Sequence, residues 1–247
     1  MITYKLHIAY DGTNYHGWQI QPNGISIQEL IQEAVHTLIQ EKVHVIGSGR
    51  TDQGVHALDQ VAHFRCMEAH DTTRLFKGLN GILPKDIRIL SVTECPNSFH
   101  AQQSATGKEY HYKLALGPIV MPCERLYRWH VPYKIDLLLL KEAASQFVGT
   151  HDFRSFANSA HTGAAGKNSV RTITHLDVVV EGEGVTLIFK GNGFLYKMVR
   201  NIVGMLINVA SGKRSITDIA ALLAAKDRRM APMASPPHGL FLVKVSY

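Results

Sequence analysis

The strongest constraint on the fold is that both halves of the chain carry the same succession of strand-like and helix-like segments. Residues 2–10 alternate between apolar and polar side chains, which is typical of a strand with one buried face. Apolar residues at helical spacing follow over 27–38, opened by a capping box of Ser26 and Glu29. The first half continues with strands at 43–47 and 61–64, a helix at 72–80 that Gly81 is expected to end, and a strand at 86–93.

The second half repeats this order. Its segments are a strand around 110–116, a helix over 136–148 ended by Gly149, strands at 172–180 and 185–190, helices at 195–210 and after Ser215, and a last strand at 240–246. Each half therefore has the strand–helix–strand–strand–helix–strand order of a split βαβ motif. The pattern predicts an α+β fold of two ferredoxin-like halves, with mainly antiparallel sheets and helices on one face.

No Pro/Gly/Ser-rich linker separates the two halves. We place the boundary near residue 104, which predicts an N-terminal α+β domain at 1–104 and a basic C-terminal α+β domain at 105–247. Without a linker, the two sheets are expected to be joined rather than loosely tethered.

Composition excludes several classes of protein. The 247 residues are 45% hydrophobic and 19% charged, which is ordinary globular usage. No apolar run approaches the roughly 18 residues of a membrane span, and the opening residues have no signal-peptide pattern. The three cysteines, Cys66, Cys95 and Cys123, are too few and too widely spaced for a disulfide scaffold or a CxxC metal clip. We expect a soluble cytoplasmic protein with no membrane partner.

Charge is distributed unevenly between the halves. Residues 1–104 hold 8 Lys and Arg against 10 Asp and Glu, whereas residues 105–247 hold 18 against 10. A basic half is typical of proteins that bind an anionic partner, most simply nucleic acid. Scattered charge that only keeps the chain soluble is the alternative at this point.

The segment Gly47–His56 has the densest chemistry. Its glycines at positions 47, 49 and 54 permit tight turns and close approach by a large ligand. Asp52 can serve there as a nucleophile or a base, and Arg50 can contact a phosphate or stack on a base. The alternative is that these residues form a structural turn with a solvated ion pair and have no catalytic or binding role.

Other readings of this segment fit less well. Neither GxxxxGK[ST] nor a complete GxGxxG is present, so a phosphate-cradling loop is not indicated. Asp52, His56 and His63 are conceivable metal ligands, but HExxH is absent and no cysteine lies at metal spacing. We expect no metal and no cofactor.

The loop sequence GSGRTDQGVHALDQVAHF resembles the GRTDxGVHA signature of the tRNA pseudouridine synthase A family. Further blocks occur in the order found in that family: YDGTNYHGWQ, NGILPKDI, FHAQQSATGKEYHY, DFRSF, KGNGFLYKMVRNIVG and PPHGLFLVKVSY. The resemblance covers residues 3–247. It implies a pseudouridine synthase fold with RNA-recognition-like sheets, a homodimer, and no cofactor or metal. It also implies transfer RNA as the partner, with uridines at positions 38, 39 and 40 of the anticodon stem-loop isomerised to pseudouridine.

The resemblance also assigns roles to four residues. Asp52 takes the place of the catalytic aspartate, which attacks either C1′ of the ribose or C6 of the base. Arg200 matches the arginine that pairs with this aspartate, and Tyr110 matches a tyrosine that stacks on the extruded uracil. Arg50 matches an arginine that inserts into the RNA, although it can equally anchor a phosphate. From periodicity alone, Tyr110 is an ordinary inward residue and Arg200 a solvated helix residue.

Two positions depart from the family pattern, and other functions stay open. Gln53 stands where alanine is usual, and Gln102 where arginine is typical, which puts the substrate range in doubt. The alternatives are a related synthase acting on another RNA, a non-catalytic RNA-binding protein, and a metal-dependent nucleotide hydrolase using Asp52, His56 and His63.

Overall fold

The structure is a computed structural model that describes residues 1–158 and 168–247. The chain divides into two compact units, one formed by Met1–Thr106 with Phe241–Tyr247 and the other by Gly107–Leu240. Within the described residues, no helix is both long and apolar enough to cross a membrane.

The first unit follows the predicted order of elements. Its elements are β1 (Ile2–Tyr10), α1 (Ile27–Ile39), β2 (Ile46–Gly47), β3 (His56–Cys66), α2 (Thr72–Ile82), β4 (Ile87–Cys95) and the C-terminal strand β10 (Leu240–Ser246). Both bonds of the predicted capping box at Ser26 and Glu29 are present at the start of α1. Its buried side chains, Ile27, Ile31, Ala34 and Val35, form one stripe along the helix.

The sheet of the first unit is mainly antiparallel. β1 lies between β3 and β4 and pairs antiparallel with both. β3 also pairs antiparallel with β2, where Ile46 faces His63, and parallel with β10, where Phe241 faces His56. The loop that joins β2 to β3 therefore ends at β3, a strand whose register is set by its pairing with β1, β2 and β10.

The second unit is also α+β. Its elements are β5 (Gly107–Leu116), β6 (Trp129–Val131), α3 (Leu137–Ser145), β7 (Gly149–Asp152), β8 (Val170–Glu181), β9 (Gly184–Gly191), α4 (Met198–Ala210) and α5 (Thr217–Ala225). β5, β9, β8 and β7 are successive antiparallel neighbours, and the short β6 pairs parallel with β5. Together the two units confirm the predicted α+β class with mostly antiparallel strands.

Helix α4 is the central helix of the second unit. Eleven of its 13 residues are buried, which is typical of a helix inside a core rather than on its surface. The helix was expected to start at residue 195, but it starts at Met198 because Lys197 has a left-handed backbone with φ of 62°. Arg200, in its first turn, is half-buried.

Two further segment predictions were wrong in detail. α2 continues through Gly81 to Ile82 and ends at the extended Leu83, because the following Pro84 disfavours a helical conformation in the residue before it. The predicted strand at 43–47 is reduced to Ile46–Gly47.

The last strand was assigned with the second half when the chain was divided at residue 104. In the structure, Phe241–Tyr247 belongs to the first unit. The reason is its pairing there: Phe241 and Leu242 pair with His56 and Ala57 of β3. Tyr247 donates a hydrogen bond from its hydroxyl to the Ala101 carbonyl at 2.7 Å.

Candidate active site

Asp52 lies in the loop between β2 and β3 of the first unit. The loop begins where the Ser48 amide donates to the Val61 carbonyl at 2.7 Å. It returns through a turn in which the Val55 amide donates to the Asp52 carbonyl at 3.1 Å. Gly54 has a φ of +76° within this turn, a conformation that favours glycine. Asp52 is half-buried and Arg50 is exposed.

The residue just before Asp52 is held at two points. The Tyr10 hydroxyl lies 2.8 Å from Oγ1 of Thr51, and the Trp18 amide donates to the Thr51 carbonyl at 3.1 Å. Thr51 itself is buried, with 7% of its surface exposed. The backbone that leads to Asp52 is therefore held in place, and Asp52 itself is half-buried.

The segment YDGTNYHGWQ packs behind this loop. Gly17 has a φ of +84°, and a Cβ atom there would lie 2.5 Å from the Thr51 carbonyl oxygen and 3.0 Å from the Asp52 carbonyl carbon. A Cβ on Gly47 would lie 2.5 Å from the Trp18 indole. The glycines of these two motifs thus allow backbone and ring to approach closely where Asp52 is positioned.

The histidines of this region have other partners. Nδ1 of His56 lies 3.0 Å from Oδ1 of Asp11 and 3.1 Å from the Gly12 amide, and its ring stacks on Phe241. Nδ1 of His63 accepts a hydrogen bond from the Ala101 amide at 3.2 Å. Burial, together with the charges of His100 and Arg65, lowers the pKa of His63 to about 4. His63 is therefore neutral at pH 7.

A shared metal site for Asp52, His56 and His63 does not fit this geometry. The two histidines belong to one continuous strand, and their separation of seven residues places them about 23 Å apart along it. Across residues 1–158 and 168–247, no group of three His, Cys, Asp or Glu side chains is arranged to hold a metal ion. The hydrolase alternative is therefore wrong for these ligands.

Tyr110 lies on β5 of the second unit. It is opposite Phe189 in the antiparallel pairing with β9, and its ring meets the edge of the Phe194 ring at a centroid distance of 5.2 Å. Tyr110 is 8% exposed, and Tyr112 on the same strand face is fully buried. The Tyr112 hydroxyl donates to the Pro236 carbonyl at 2.7 Å, and burial raises its pKa.

Arg200 is positioned by α4 and by residues shortly before β10. Its Nε donates to the Ser235 carbonyl at 2.8 Å, and the Ser235 amide donates to the Arg200 carbonyl at 3.0 Å. Next to it, the Asn201 amide group donates to the Phe156 carbonyl at 2.6 Å and accepts from Arg228 at 2.9 Å. The paired contacts with Ser235 fix the direction in which the guanidinium leaves the helix.

The sequence of this chain is similar to those of known proteins along most of its length. The sequence pattern of the family described as tRNA pseudouridine synthase matches residues 7–102 and 143–247. The tRNA pseudouridine synthase A 1 of Protochlamydia amoebophila (strain UWE25) is 58% identical over 248 residues, covering 100% of this chain and 97% of that protein. The chain belongs to the tRNA pseudouridine synthase family.

Other members of the family are also similar along their whole length. The tRNA pseudouridine synthase A of Chlamydia muridarum (strain MoPn / Nigg) is 46% identical, over 98% of this chain and 91% of that protein. That of Thermoanaerobacter sp. (strain X514) is 40% identical, over 97% of each. With the family established, the α+β architecture is the pseudouridine synthase fold.

The four predicted site residues divide between the two units and between the matched segments. Asp52 and Arg50 lie in the first unit and inside the first matched segment, and Arg200 lies in the second unit and inside the second segment. Tyr110 lies in the second unit, at a position between the matched segments.

The structure adds residues that the sequence alone did not single out. Gln60, Tyr10 and Ser48 bond beneath the Asp52 loop, and Ser235 contacts Arg200. Gln60 lies inside the loop motif, but the polar Asp59 and His63 are close to it in the sequence, so it gave no separate signal. Ser235 carried none, because its partner is distant in sequence.

Proposed function

We propose that this protein isomerises uridines to pseudouridine in the anticodon stem-loop of transfer RNA, at positions 38, 39 and 40, with Asp52 as the nucleophile. Membership of the tRNA pseudouridine synthase family supports the reaction. The observation that carries the assignment of Asp52 is its loop. Thr51 is bonded at both its side chain and its carbonyl, while Asp52 itself stays partly accessible.

The reaction requires that the N1–C1′ bond of uridine breaks and that a C1′–C5 bond forms. The hydrogen on C5 leaves as a proton and N1 gains one, so the product is an isomer and no oxidant or reductant is needed. An ionised carboxylate can attack carbon directly. Attack by Asp52 at C1′ or at C6 keeps the sugar and base together while the base turns.

Tyr110 and Arg200 are assigned supporting roles in this proposal. Tyr110 stacks on the uracil once the base has left the RNA stack, as flipped bases generally require. Arg200 is assigned as the partner of Asp52, whose carboxylate its planar guanidinium orients. The bonds between Arg200 and Ser235 support this role because they fix the direction of the guanidinium.

RNA binding is assigned mainly to basic side chains. Arg50 is exposed on the same loop as Asp52, where it can enter the RNA or anchor a phosphate. The second unit carries 17 Lys and Arg against 10 Asp and Glu, which suits contacts with phosphates.

Release of tritium from transfer RNA labelled at C5 of uridine tests the proposal, because C5 loses its hydrogen in the reaction. We expect Asp52→Asn to abolish release, since an amide is nearly the same shape but is not an anionic nucleophile. RNA binding, measured by filter retention, should stay within a few-fold. Asp59→Asn is the matched control: Asp59 is a half-buried carboxylate in the same unit that bonds His7.

Full activity in Asp52→Asn would end the nucleophile assignment. Mapping of pseudouridine in RNA from cells with and without the protein tests the substrate. Loss at positions 38, 39 and 40 supports the anticodon stem-loop, whereas loss at other uridines favours a related synthase acting elsewhere. The exposed Gln53 and Gln102, which depart from the family pattern, make that second outcome worth testing.

Two further parts of the proposal are a homodimer, which rests on the resemblance, and a cytoplasmic location, which rests on composition. We assign a homodimer, for which light scattering should give twice the chain mass of 27.4 kDa. We also assign the cytoplasm, which suits a transfer RNA substrate and three free cysteines. A monomer in light scattering, or a non-cytoplasmic fraction on cell fractionation, would remove the respective assignment.

A further inference from the structure

A buried polar network lies directly beneath the Asp52 loop. Its members are Ser48, Gln60, Tyr10 and Thr51, with 1%, 0%, 4% and 7% of their surfaces exposed. All four side chains are neutral hydrogen-bonding groups at pH 7. They come from β1, β3 and the loop itself, so the network joins two strands of the sheet to the segment that precedes Asp52.

Gln60 is the centre of this network. Its Oε1 accepts hydrogen bonds from Oγ of Ser48 at 2.6 Å and from the Val61 amide at 3.2 Å. Its Nε2 donates to the Gly49 carbonyl at 3.0 Å. One fully buried amide on β3 therefore holds two successive residues of the loop.

Tyr10 extends the network to the residue next to Asp52. Its hydroxyl bonds Oγ1 of Thr51 at 2.8 Å. Burial raises the pKa of Tyr10, and hydrogen bonds with Thr51 and Gln60 act in the opposite direction. The phenol is therefore protonated at pH 7, and its role is that of a fixed hydrogen-bonding group.

Burying these polar side chains costs free energy that burying apolar side chains of similar volume does not. A buried polar group without a partner is destabilising, so each of these side chains needs its partners in place. Apolar residues of similar volume would fill the same space without this requirement. The network therefore provides orientation, and the segment that it orients, residues 48–51, leads to Asp52.

We propose that Gln60 and Tyr10 are positioning residues for Asp52: through Ser48, Gly49 and Thr51 they fix the backbone that directs its carboxylate at the substrate. This inference rests on the proposed function, since it takes Asp52 as the nucleophile. It adds two residues that touch neither substrate nor reacting atoms, and it predicts an effect on turnover rather than on binding.

The test measures kcat and KM for tritium release in Tyr10→Phe, Gln60→Leu and Thr51→Val, each shown to be folded by its melting curve. A misplacement of about 1 Å costs up to about a hundredfold in rate. We therefore expect kcat to fall about ten- to a hundredfold while KM stays within about threefold. Thr51→Ser keeps the hydroxyl and should retain most of the activity.

Tyr4→Phe is the matched control for Tyr10→Phe. Tyr4 lies on the same strand and is fully buried, and its hydroxyl bonds the backbone of His70 at 3.0 and 2.7 Å. Its removal should lower stability without lowering kcat. If Tyr4→Phe reduced kcat as much as Tyr10→Phe, the effect would be general destabilisation and the inference would be wrong.

The double variant Tyr10→Phe with Gln60→Leu adds a second criterion. Residues that act through one network have non-additive effects, so the double variant should lose little more than the worse single variant. An inactive Asp52→Asn protein together with folded Tyr10→Phe and Thr51→Val proteins of wild-type kcat would overturn this inference alone. An active Asp52→Asn protein would overturn the proposed function as well.

Discussion

Asp52 and Arg200 are carried by two very different pieces of backbone. Asp52 lies in an irregular loop, and its position depends on side chains from β1 and β3 that bond the residues just before it. Arg200 lies in the first turn of a buried helix, where regular backbone hydrogen bonds already set its position and Ser235 orients its guanidinium. A side chain in an irregular loop is held in position by contacts from other elements. In a packed helix, the helix itself supplies most of that support.

The two units also differ in charge. The first unit holds 9 Lys and Arg against 10 Asp and Glu, and the second holds 17 against 10. A unit that is close to neutral thus carries the proposed nucleophile, and a basic unit carries the arginine proposed to pair with it. Substitutions made in one unit at a time test what each contributes.

Replacement of Arg200 should have the largest effect. If Arg200 pairs with Asp52 as proposed, its removal leaves the carboxylate without the guanidinium that orients it. We expect folded Arg200→Met protein to lose at least about a hundredfold in kcat, and Arg200→Lys to retain part of the activity because it keeps the charge but not the planar fork.

Melting curves separate this explanation from a loss of folding, because the activities are compared only between variants shown to be folded. A folded Arg200→Met protein with an unchanged rate would make this arginine an ordinary helix residue.

Gly17→Ala should disturb the loop that carries Asp52. The new Cβ would lie 2.5 Å from the Thr51 carbonyl oxygen, at a residue with φ of +84°. The left-handed backbone alone costs roughly 1–2 kcal/mol, and displacement of Thr51 should lower kcat by about tenfold. Gly182→Ala is the control, since Gly182 has φ of +58° and open space around it.

Melting curves and tritium release measure the two effects of these glycine variants separately. Both variants should lose similar stability from the backbone conformation, but only Gly17→Ala should lose activity. Equal activities in the two proteins would show that the loop tolerates displacement at Thr51.

Mild acid should weaken the first unit through His63. Its pKa is about 4 in the folded protein against 6.5 in the unfolded chain, so the unfolded chain binds a proton first as the pH falls. Stability that is present above pH 6.5 should be lost progressively down to pH 4, by roughly 1–3 kcal/mol after allowance for solvent screening. The measurement is the denaturation midpoint at pH 7 and pH 5.

His63→Gln should flatten this pH dependence, because the amide can still accept the Ala101 hydrogen bond but does not titrate. His44→Gln, at an exposed position of the same unit, is the control and should leave the dependence unchanged. An unchanged slope in His63→Gln would assign the acid sensitivity to other groups.

The smallest effects are expected from exposed lysines. Each lysine that contacts a phosphate contributes about 0.7–0.9 to the slope of log affinity against log salt concentration. Two sets of exposed lysines allow a comparison: Lys134, Lys141 and Lys213 of the second unit, and Lys42, Lys77 and Lys85 of the first. Neutralising the second unit's set should reduce the slope for transfer RNA more than neutralising the first unit's set. Equal reductions would contradict a basic binding face in the second unit.

The sequence by itself determined the elements whose signals are local. β1 follows from period-two alternation, and α1 follows from its capping box and apolar stripe, because both depend on residues close together in the chain. Asp52 and Arg50 were also found from the sequence, since the glycine-rich loop and its family resemblance are contained in one short segment.

Long-range pairing decided what the sequence did not indicate. α3 was expected to run to residue 148 but ends at Ser145, and Gly149, with φ of +118°, begins β7 through pairing with Ile173 of β8. The three-residue β6 exists because Leu114, Ala115 and Leu116 pair with it. Strands this short have little signal of their own.

The same reason applies to the site. Gln60, Tyr10 and Ser235 gain their roles only when residues distant in sequence meet: Tyr10 bonds Thr51 across 41 positions, and Arg200 bonds Ser235 across 35. Hydrogen bonds between buried side chains and a distant backbone have no periodicity and no local motif. The sequence therefore identified the residues proposed to do the chemistry, and the tertiary structure identified the residues that hold them in place.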